Sequence, residues 1–125
     1  MNKRILILIP LLFFGAISQS STDVRTVERV IDGDTIVLKG GERIRYIGID
    51  TPEMNPEEPF AKEAAEQNSM LVEGKTVRLE YDKEKTDRYG RTLAYVYVDH
   101  EGKELFVNAW LVLNGYARTF PFPQN

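Results

Sequence analysis

The sequence predicts a mainly β (α+β) domain: a five-stranded OB-fold Greek-key barrel with two helices. Five short stretches rich in Val, Ile and Thr are separated by residues typical of turns. One helical pattern is inserted after the third stretch, and a second follows the fifth. Barrels of this kind are small, and they commonly bind oligonucleotides or oligosaccharides on one face.

The first twenty residues have the layout of a secretory signal peptide. Lys3 and Arg4 form a positive region, residues 5–17 form an apolar run, and small residues follow where a signal peptidase prefers them. The run is shorter than the ~20 apolar residues that a membrane-spanning helix needs. We therefore expect removal of residues 1–20, a secreted or periplasmic location, and no stable membrane association of the remaining domain, residues 24–125.

Composition narrows the kind of domain that remains. The absence of cysteine excludes a disulfide framework and any thiolate metal site. Removal of Lys3 and Arg4 changes the formal net charge from −3 to about −5. Because a basic surface usually supplies non-specific affinity for nucleic acid, this acidic balance argues against a protein that wraps long duplexes. It remains compatible with an enzyme that brings a divalent cation to a phosphate.

The first half of the domain is predicted to hold three strands. The turn Asp32-Gly33-Asp34 separates the first two, and Gly40-Gly41 is a two-residue hairpin signal. Thr51-Pro52 ends the third strand, because proline lacks the backbone donor that a ladder needs. The predicted strands are residues 24–32, 35–39 and 43–50. A turn centred on Gly40-Gly41 places Asp34 opposite Ile47, with Arg45 a diagonal neighbour of Asp34 at ~7–8 Å between Cα atoms.

The second half alternates between the two periodicities. Apolar residues recur at helical spacing over residues 57–73, and Gly74 ends this helix. Residues 75–81 and 91–99 alternate as strands on either side of a charged loop. A second helix follows over residues 107–114 and ends at Gly115.

One end of the first hairpin gathers charged residues suited to phosphodiester chemistry. Hydrolysis brings hydroxide to an anionic phosphate, so catalysis is chiefly positioning and charge stabilisation. Carboxylates can hold a hard divalent cation that orients a water, and a further carboxylate can act as general base. Arginine can donate to two phosphate oxygens at once. The residues gathered there are Asp34, Arg45, Asp50 and Glu53.

Spacing alone leaves plainer interpretations open. An Asp-Gly-Asp segment is more often just a turn, in which the aspartates accept from local backbone donors. A single exposed arginine or glutamate is usually a solvated side chain. His100, the only histidine, lies in a predicted turn, and we assign it no chemistry.

Three longer segments make the pattern specific. In chain order they are Val30-Ile31-Asp32-Gly33-Asp34-Thr35, Arg45-Tyr46-Ile47-Gly48-Ile49-Asp50-Thr51-Pro52-Glu53 and Thr86-Asp87-Arg88-Tyr89-Gly90-Arg91. They resemble the signature segments of the staphylococcal nuclease (thermonuclease) family, and residues 107–117 resemble the helix of that family and its exit. The resemblance extends over residues 24–120. It implies an OB-fold enzyme that uses Ca²⁺ to hydrolyse DNA and RNA, preferably single-stranded or frayed, to 3′-phosphorylated products.

The resemblance also implies a role for individual residues. Asp34 and Asp50 would ligate calcium through carboxylates and Thr51 through its backbone carbonyl. Glu53 would be the general base or would order the attacking water. Arg45 would bind the phosphate. The other implied roles are transition-state stabilisation for Arg91, substrate contacts for Arg88 and Tyr89, support of the metal site for Asp32, and a structural role for Asn108.

Two further expectations complete the prediction. The family usually continues into a third, C-terminal helix, whereas this sequence stops at Asn125, so we expect either a chain truncated at its C-terminus or a protein that lacks that helix. We also expect a monomer. The alternative function is a non-catalytic OB-fold module that binds nucleic acid or a protein, and such a module would be expected to lose the carboxylates or arginines that this sequence keeps. An oligosaccharide-binding barrel would need exposed aromatic residues on the sheet.

Overall fold

A computed structural model describes residues 22–121. The predicted signal peptide lies outside the described residues. Within them the chain forms eight strands and two helices. These are β1 (Thr22–Asp32), β2 (Thr35–Leu38), β3 (Arg43–Tyr46), β4 (Ile49–Asp50), α1 (Ala61–Val72), β5 (Thr76–Glu80), β6 (Thr92–His100), β7 (Lys103–Phe106), α2 (Val107–Leu113) and β8 (Arg118–Thr119).

Five of the strands close into a barrel, which confirms the predicted OB-type fold. The sheet runs in the order β3-β2-β1-β5-β6-β7, and a further pairing joins β3 to β6. That pairing is parallel, with Arg45 opposite Leu93, whereas the other barrel pairs are antiparallel. Closure leaves no free sheet edge among these five strands. β7 lies outside the closed ring, as a hairpin partner of β6.

The barrel interior is a continuous apolar core that both helices cover. Fully buried aliphatic side chains come from strands on all sides of the barrel, and α1 and α2 add more. The core includes Val27, Ile36, Leu38, Ile44, Leu79, Val96, Val72, Val107 and Leu111. Within residues 22–121 there is no helix of the length and apolar character required to cross a membrane.

The hairpin between β2 and β3 differs by one residue from the predicted register. Thr35 lies opposite Arg45, and the Tyr46 backbone N–H donates to the Asp34 carbonyl at 2.9 Å. Asp34 therefore faces Tyr46 and not Ile47. The reason is that the connection has three residues: the Leu38 N–H donates to the carbonyl of Glu42 at 2.9 Å and thereby pairs these two residues.

Other element boundaries also moved. The predicted strand 43–50 is divided by a turn at Ile47-Gly48, where Gly48 has φ 78°. The first helix begins at Ala61 and not at residue 57, because Pro59 and a left-handed Phe60 precede it. Strands β7 and β8 were not predicted. β8 is two residues long and pairs with β4, so it carries almost no pattern of its own.

Candidate active site

Asp34 lies in the β1–β2 turn, at the point where this turn meets the end of β4. Its side chain is 6% exposed, and three groups contact its carboxylate. The Thr35 hydroxyl donates to Oδ1 at 3.1 Å, and the Thr51 backbone N–H donates to Oδ2 at 2.9 Å. Nη2 of Arg45 lies 3.2 Å from the same Oδ2. These contacts fix the carboxylate in one orientation.

Arg45 joins Asp34 to Asp50. The single Nη2 atom of Arg45 lies 3.2 Å from Asp34 Oδ2 and 3.6 Å from Asp50 Oδ1. The Nη1 atom donates to the carbonyls of Tyr46 at 2.7 Å and Ile49 at 2.8 Å. The guanidinium is therefore held on the backbone that flanks the β3–β4 turn, and its side chain is only 8% exposed. Because the Arg45–Asp34 pair is buried, loss of Arg45 would leave the Asp34 carboxylate without a compensating cation.

Thr51 packs closely on the turn between the first two strands. A Cβ atom added at Gly33 would lie 2.7 Å from Thr51 Cγ2 and 2.8 Å from its Oγ1. Only glycine therefore allows the turn to approach this closely. Among the described residues, the Thr51 Oγ1 is the buried side-chain polar atom without a hydrogen-bond partner.

Asp32 occupies the other end of the same turn. Its Oδ1 accepts the Asp34 backbone N–H at 3.0 Å. Burial, followed by the negative charges of Asp34 and Glu53, raises the pKa of the Asp32 carboxyl to about 7. The Asn68 side chain, on α1, donates to the Asp32 carbonyl at 2.9 Å. The turn is thus attached to the helix that covers the barrel.

Glu53 lies just beyond this cluster in an exposed loop. A reciprocal contact with Glu58 stabilises the loop: the Glu53 N–H donates to Glu58 Oε1 at 2.7 Å, and the Glu58 N–H donates to the Glu53 carbonyl at 2.8 Å. The negative charge of Glu53 also contributes to the raised pKa of Asp32.

Arg91, Arg88 and Tyr89 form a separate group on the loop before β6. Asp87 organises this loop: its Oδ1 accepts the backbone N–H groups of Tyr89 at 2.9 Å and Arg91 at 3.0 Å, and its Oδ2 accepts Nε of Arg91 at 2.7 Å. Burial opposes ionisation of Asp87, yet these hydrogen bonds hold its pKa below the ordinary value. Both guanidinium groups lie over the Tyr89 ring, at 4.9 Å for Arg88 and 5.3 Å for Arg91.

The structure thus brings together one part of the predicted residue set. Asp32, Asp34, Arg45, Asp50 and Thr51 are connected by direct contacts. The three loop residues contact one another and Asp87 instead. Asn108 has the predicted structural role: its side chain accepts the Val96 N–H and donates to the Ile47 carbonyl, each at 2.9 Å, so it ties α2 to the barrel.

Sequence reasoning missed one charged residue of the cluster. Arg118, on β8, lies opposite Asp50 on β4. Its Nε and Nη2 atoms donate to Asp50 Oδ2 at 3.2 and 3.0 Å. The Asp50 carboxylate therefore lies between two arginines, with Arg45 on its other oxygen. The two residues are 68 positions apart in sequence, and β8 is too short for a strand pattern to reveal the pairing.

The donor set fits a hard cation that completes its coordination shell with water. Within residues 22–121 there is no group of three or more His, Cys, Asp or Glu side chains placed to hold a metal ion. Two carboxylates do converge on one nitrogen of Arg45. Thr51, whose backbone N–H donates to one of them, also carries a buried hydroxyl without a partner. Calcium accepts such a mixture of carboxylate, carbonyl and water oxygens.

The fold and the site together define a small OB-type barrel with carboxylates and arginines clustered at one end, an arrangement suited to a phosphate ligand. Comparison with known proteins identifies the family to which the chain is similar. A family model described as staphylococcal nuclease homologue matches residues 43–125. The chain is 47% identical over 122 residues to a thermonuclease of Staphylococcus intermedius, which covers 89% of this chain and 70% of that protein.

Two further relatives have similar names. A thermonuclease of Staphylococcus hyicus is 46% identical over 111 residues, which is 83% of this chain and 63% of the relative. An endonuclease of Bacillus subtilis (strain 168) is 43% identical over 101 residues, which is 74% of this chain and 46% of that protein. The chain belongs to the staphylococcal nuclease family.

Proposed function

We propose that this chain is a calcium-dependent nuclease that hydrolyses DNA and RNA to 3′-phosphorylated products. The family of the chain and its named relatives already indicate a nuclease, which is a hydrolase of phosphodiester bonds. The observation that supports calcium-dependent hydrolysis is the convergence of Asp34 and Asp50 on one nitrogen of Arg45. A guanidinium between two carboxylates combines the groups that bind a cation and a phosphate in one place.

Three residues would hold the calcium ion. Asp34 and Asp50 offer carboxylate oxygens, and Thr51 offers its backbone carbonyl. When bound, the ion would neutralise charge on the phosphate and orient a water. Asp32 supports this site from behind through its hydrogen bond with the Asp34 N–H.

The remaining residues act on the phosphate and the attacking water. Arg45 is fixed by two backbone carbonyls, so it binds a phosphate oxygen without having to be ordered first. Glu53, exposed and on a braced loop, takes a proton from the attacking water or orients it. Arg91 stabilises the leaving-group side of the transition state.

Arg88 and Tyr89 would border the nucleotide. Tyr89 is 67% exposed, its ring lies beside two guanidinium groups, and bases stack on such rings. Single-stranded or frayed DNA and RNA are the expected substrates, because stacking needs an unpaired base. We further propose that the enzyme acts outside the cytoplasm as a monomer after removal of residues 1–20.

Digestion of single-stranded DNA tests the proposal. The chain is incubated with calcium and, separately, with EGTA, alongside Glu53→Ala and a matched control, Glu57→Ala, from the same exposed loop. We expect cleavage only with calcium, a loss of roughly 10²–10⁴-fold for Glu53→Ala, and full activity for Glu57→Ala. Mass spectrometry should show 3′-phosphates on the products. Equal cleavage in EGTA would remove calcium from the proposal, and binding without cleavage would favour the non-catalytic module.

A further inference from the structure

A cavity of about 410 Å³ lies directly beside the candidate active site. Asp50 and Thr51 form part of its lining, so the cavity is continuous with the residues that would hold calcium. The rest of the lining includes Phe60 from the start of α1, and Tyr116 and Arg118 from the segment after α2. Its volume falls in the range of small-molecule sites, roughly 300–1,000 Å³.

Phe60, which lines this cavity, is both highly exposed and unusual in its backbone conformation. Phe60 is 73% exposed, whereas the next residue, Ala61, is fully buried. Phe60 also has φ 68°, a left-handed conformation that is unfavourable for any residue other than glycine. An exposed aromatic ring in a strained backbone needs a reason, and strained residues are concentrated at ligand sites. Other large exposed apolar residues of the described chain, such as Met70 and Leu113, do not line the cavity.

Arg118 gives the same cavity a cationic group. Its side chain is 76% exposed, although Nε and Nη2 both donate to Asp50 Oδ2. No acceptor is recorded for its Nη1 atom among the described residues, so this part of the guanidinium can donate to a ligand. The Glu58 carboxylate also lines the cavity, and one of its oxygens accepts the Glu53 N–H.

We propose that this cavity is a nucleotide subsite for the residue that adjoins the scissile phosphate, with the base stacked on Phe60 and a phosphate bound by Arg118. Aromatic rings and basic groups along a groove are the features with which proteins bind single strands. The occupant is the same strand that is cut, because the cavity begins at Asp50 and Thr51. The inference rests on the proposed function, but it concerns binding and not cleavage.

The test measures binding in a protein that does not cut. Fluorescein-labelled hexathymidylate is titrated with calcium present, and every variant also carries Glu53→Ala. The second ligand is the same strand without bases, which keeps the phosphates. Phe60→Leu should raise Kd for hexathymidylate about 5- to 150-fold and leave Kd for the abasic strand unchanged. Phe60→Trp should keep the wild-type Kd, and so should Leu113→Ala, an exposed apolar control away from the cavity.

The arginine has a separate signature. Loss of one phosphate contact reduces the slope of log K against log salt by about 0.7 for a single strand. Arg118→Gln should show this reduction on both ligands, and the exposed control Arg29→Gln should not. A Phe60→Leu effect that is equal on both strands, or an unchanged salt slope in Arg118→Gln, would overturn the subsite. Failure of the nuclease itself would show only in the digestion assay.

Discussion

Replacement of Asn68 by alanine tests whether the active-site turn depends on the helix that covers the barrel. Asn68 is fully buried on α1. Its Oδ1 accepts the Tyr46 hydroxyl at 2.6 Å, and its Nδ2 donates to the Asp32 carbonyl at 2.9 Å. The amide thus links a fully buried tyrosine to the turn that carries Asp32 and Asp34. Burial, in turn, raises the pKa of the Tyr46 phenol, which stays protonated as a donor.

The expected cost follows from the two partners that Asn68→Ala leaves unpaired. A buried polar group that loses its partner costs about 1–3 kcal/mol. The Tyr46 hydroxyl is fully buried, so loss of its partner costs the full amount. The Asp32 carbonyl is at a partly buried position, where water can replace the amide. We therefore expect the free energy of unfolding to fall by about 2–4 kcal/mol, a large part of the roughly 5–15 kcal/mol typical of a domain.

Urea unfolding, followed by circular dichroism with EGTA present, measures this loss. Gln67→Ala, an amide on the same helix for which no hydrogen bond is recorded in the described chain, should change stability by less than about 0.5 kcal/mol. Tyr46→Phe removes one of the two partners, so Asn68→Ala should cost less in that background, with a coupling of about 1 kcal/mol. A cost below 1 kcal/mol for Asn68→Ala, or full additivity with Tyr46→Phe, would refute the reasoning.

Three further predictions concern the same region. Asn108→Ala leaves the Val96 N–H and the Ile47 carbonyl unpaired, so urea unfolding should show that the free energy of unfolding falls by about 2–4 kcal/mol. Asn114→Ala, a control at an exposed position, should lower it by less than about 0.5 kcal/mol. Gly33→Ala pushes on the Thr51 side chain, so calcium affinity by calorimetry should fall at least about tenfold, and adding Thr51→Ser, which removes one contacting methyl, should restore part of it. In EGTA, the contribution of Asp32 to the free energy of unfolding should decline as pH rises from about 4 to about 7, because folded Asp32 binds its proton more tightly than unfolded Asp32. Urea midpoints measured across this pH range should therefore vary less for Asp32→Asn than for the wild-type protein.

The barrel was predictable because its strands keep their alternation and its turns carry strong local signals. The register of the first hairpin was not. Gly40 and Gly41 both have positive φ, as the dipeptide suggests, but the dipeptide does not reveal which flanking residues pair. The pairing of Leu38 with Glu42 shifted the ladder by one residue. Asp34 still meets Arg45, because Asp34 belongs to the turn before β2 and its side chain does not follow strand alternation.

The contacts that position the site were less accessible to sequence reasoning. Asn68 lies on the buried face of α1, and a helical pattern can indicate burial but not a partner 36 residues away. Arg118 belongs to a two-residue strand and meets Asp50 only because the chain after α2 returns to the barrel. Both contacts depend on tertiary packing. Local pattern therefore indicates candidate catalytic residues more readily than the residues that position them.

The acidic balance of the sequence takes on a specific meaning at this site. The carboxylates of Asp34, Asp50 and Glu53 outnumber the two arginines of this region, Arg45 and Arg118. Burial, and after it the negative charges of Asp34 and Glu53, raises the pKa of the neighbouring Asp32. We expect such a site to bind a phosphate only weakly until a cation is bound. If the proposed function is correct, calcium and the strand must therefore each raise the affinity for the other by the same factor, because coupling between two ligands is reciprocal. Titration of calcium into the wild-type protein, with and without a hexathymidylate whose phosphorothioate linkages resist cleavage, measures that factor, and a factor of one would mean that the cation does not mediate phosphate binding.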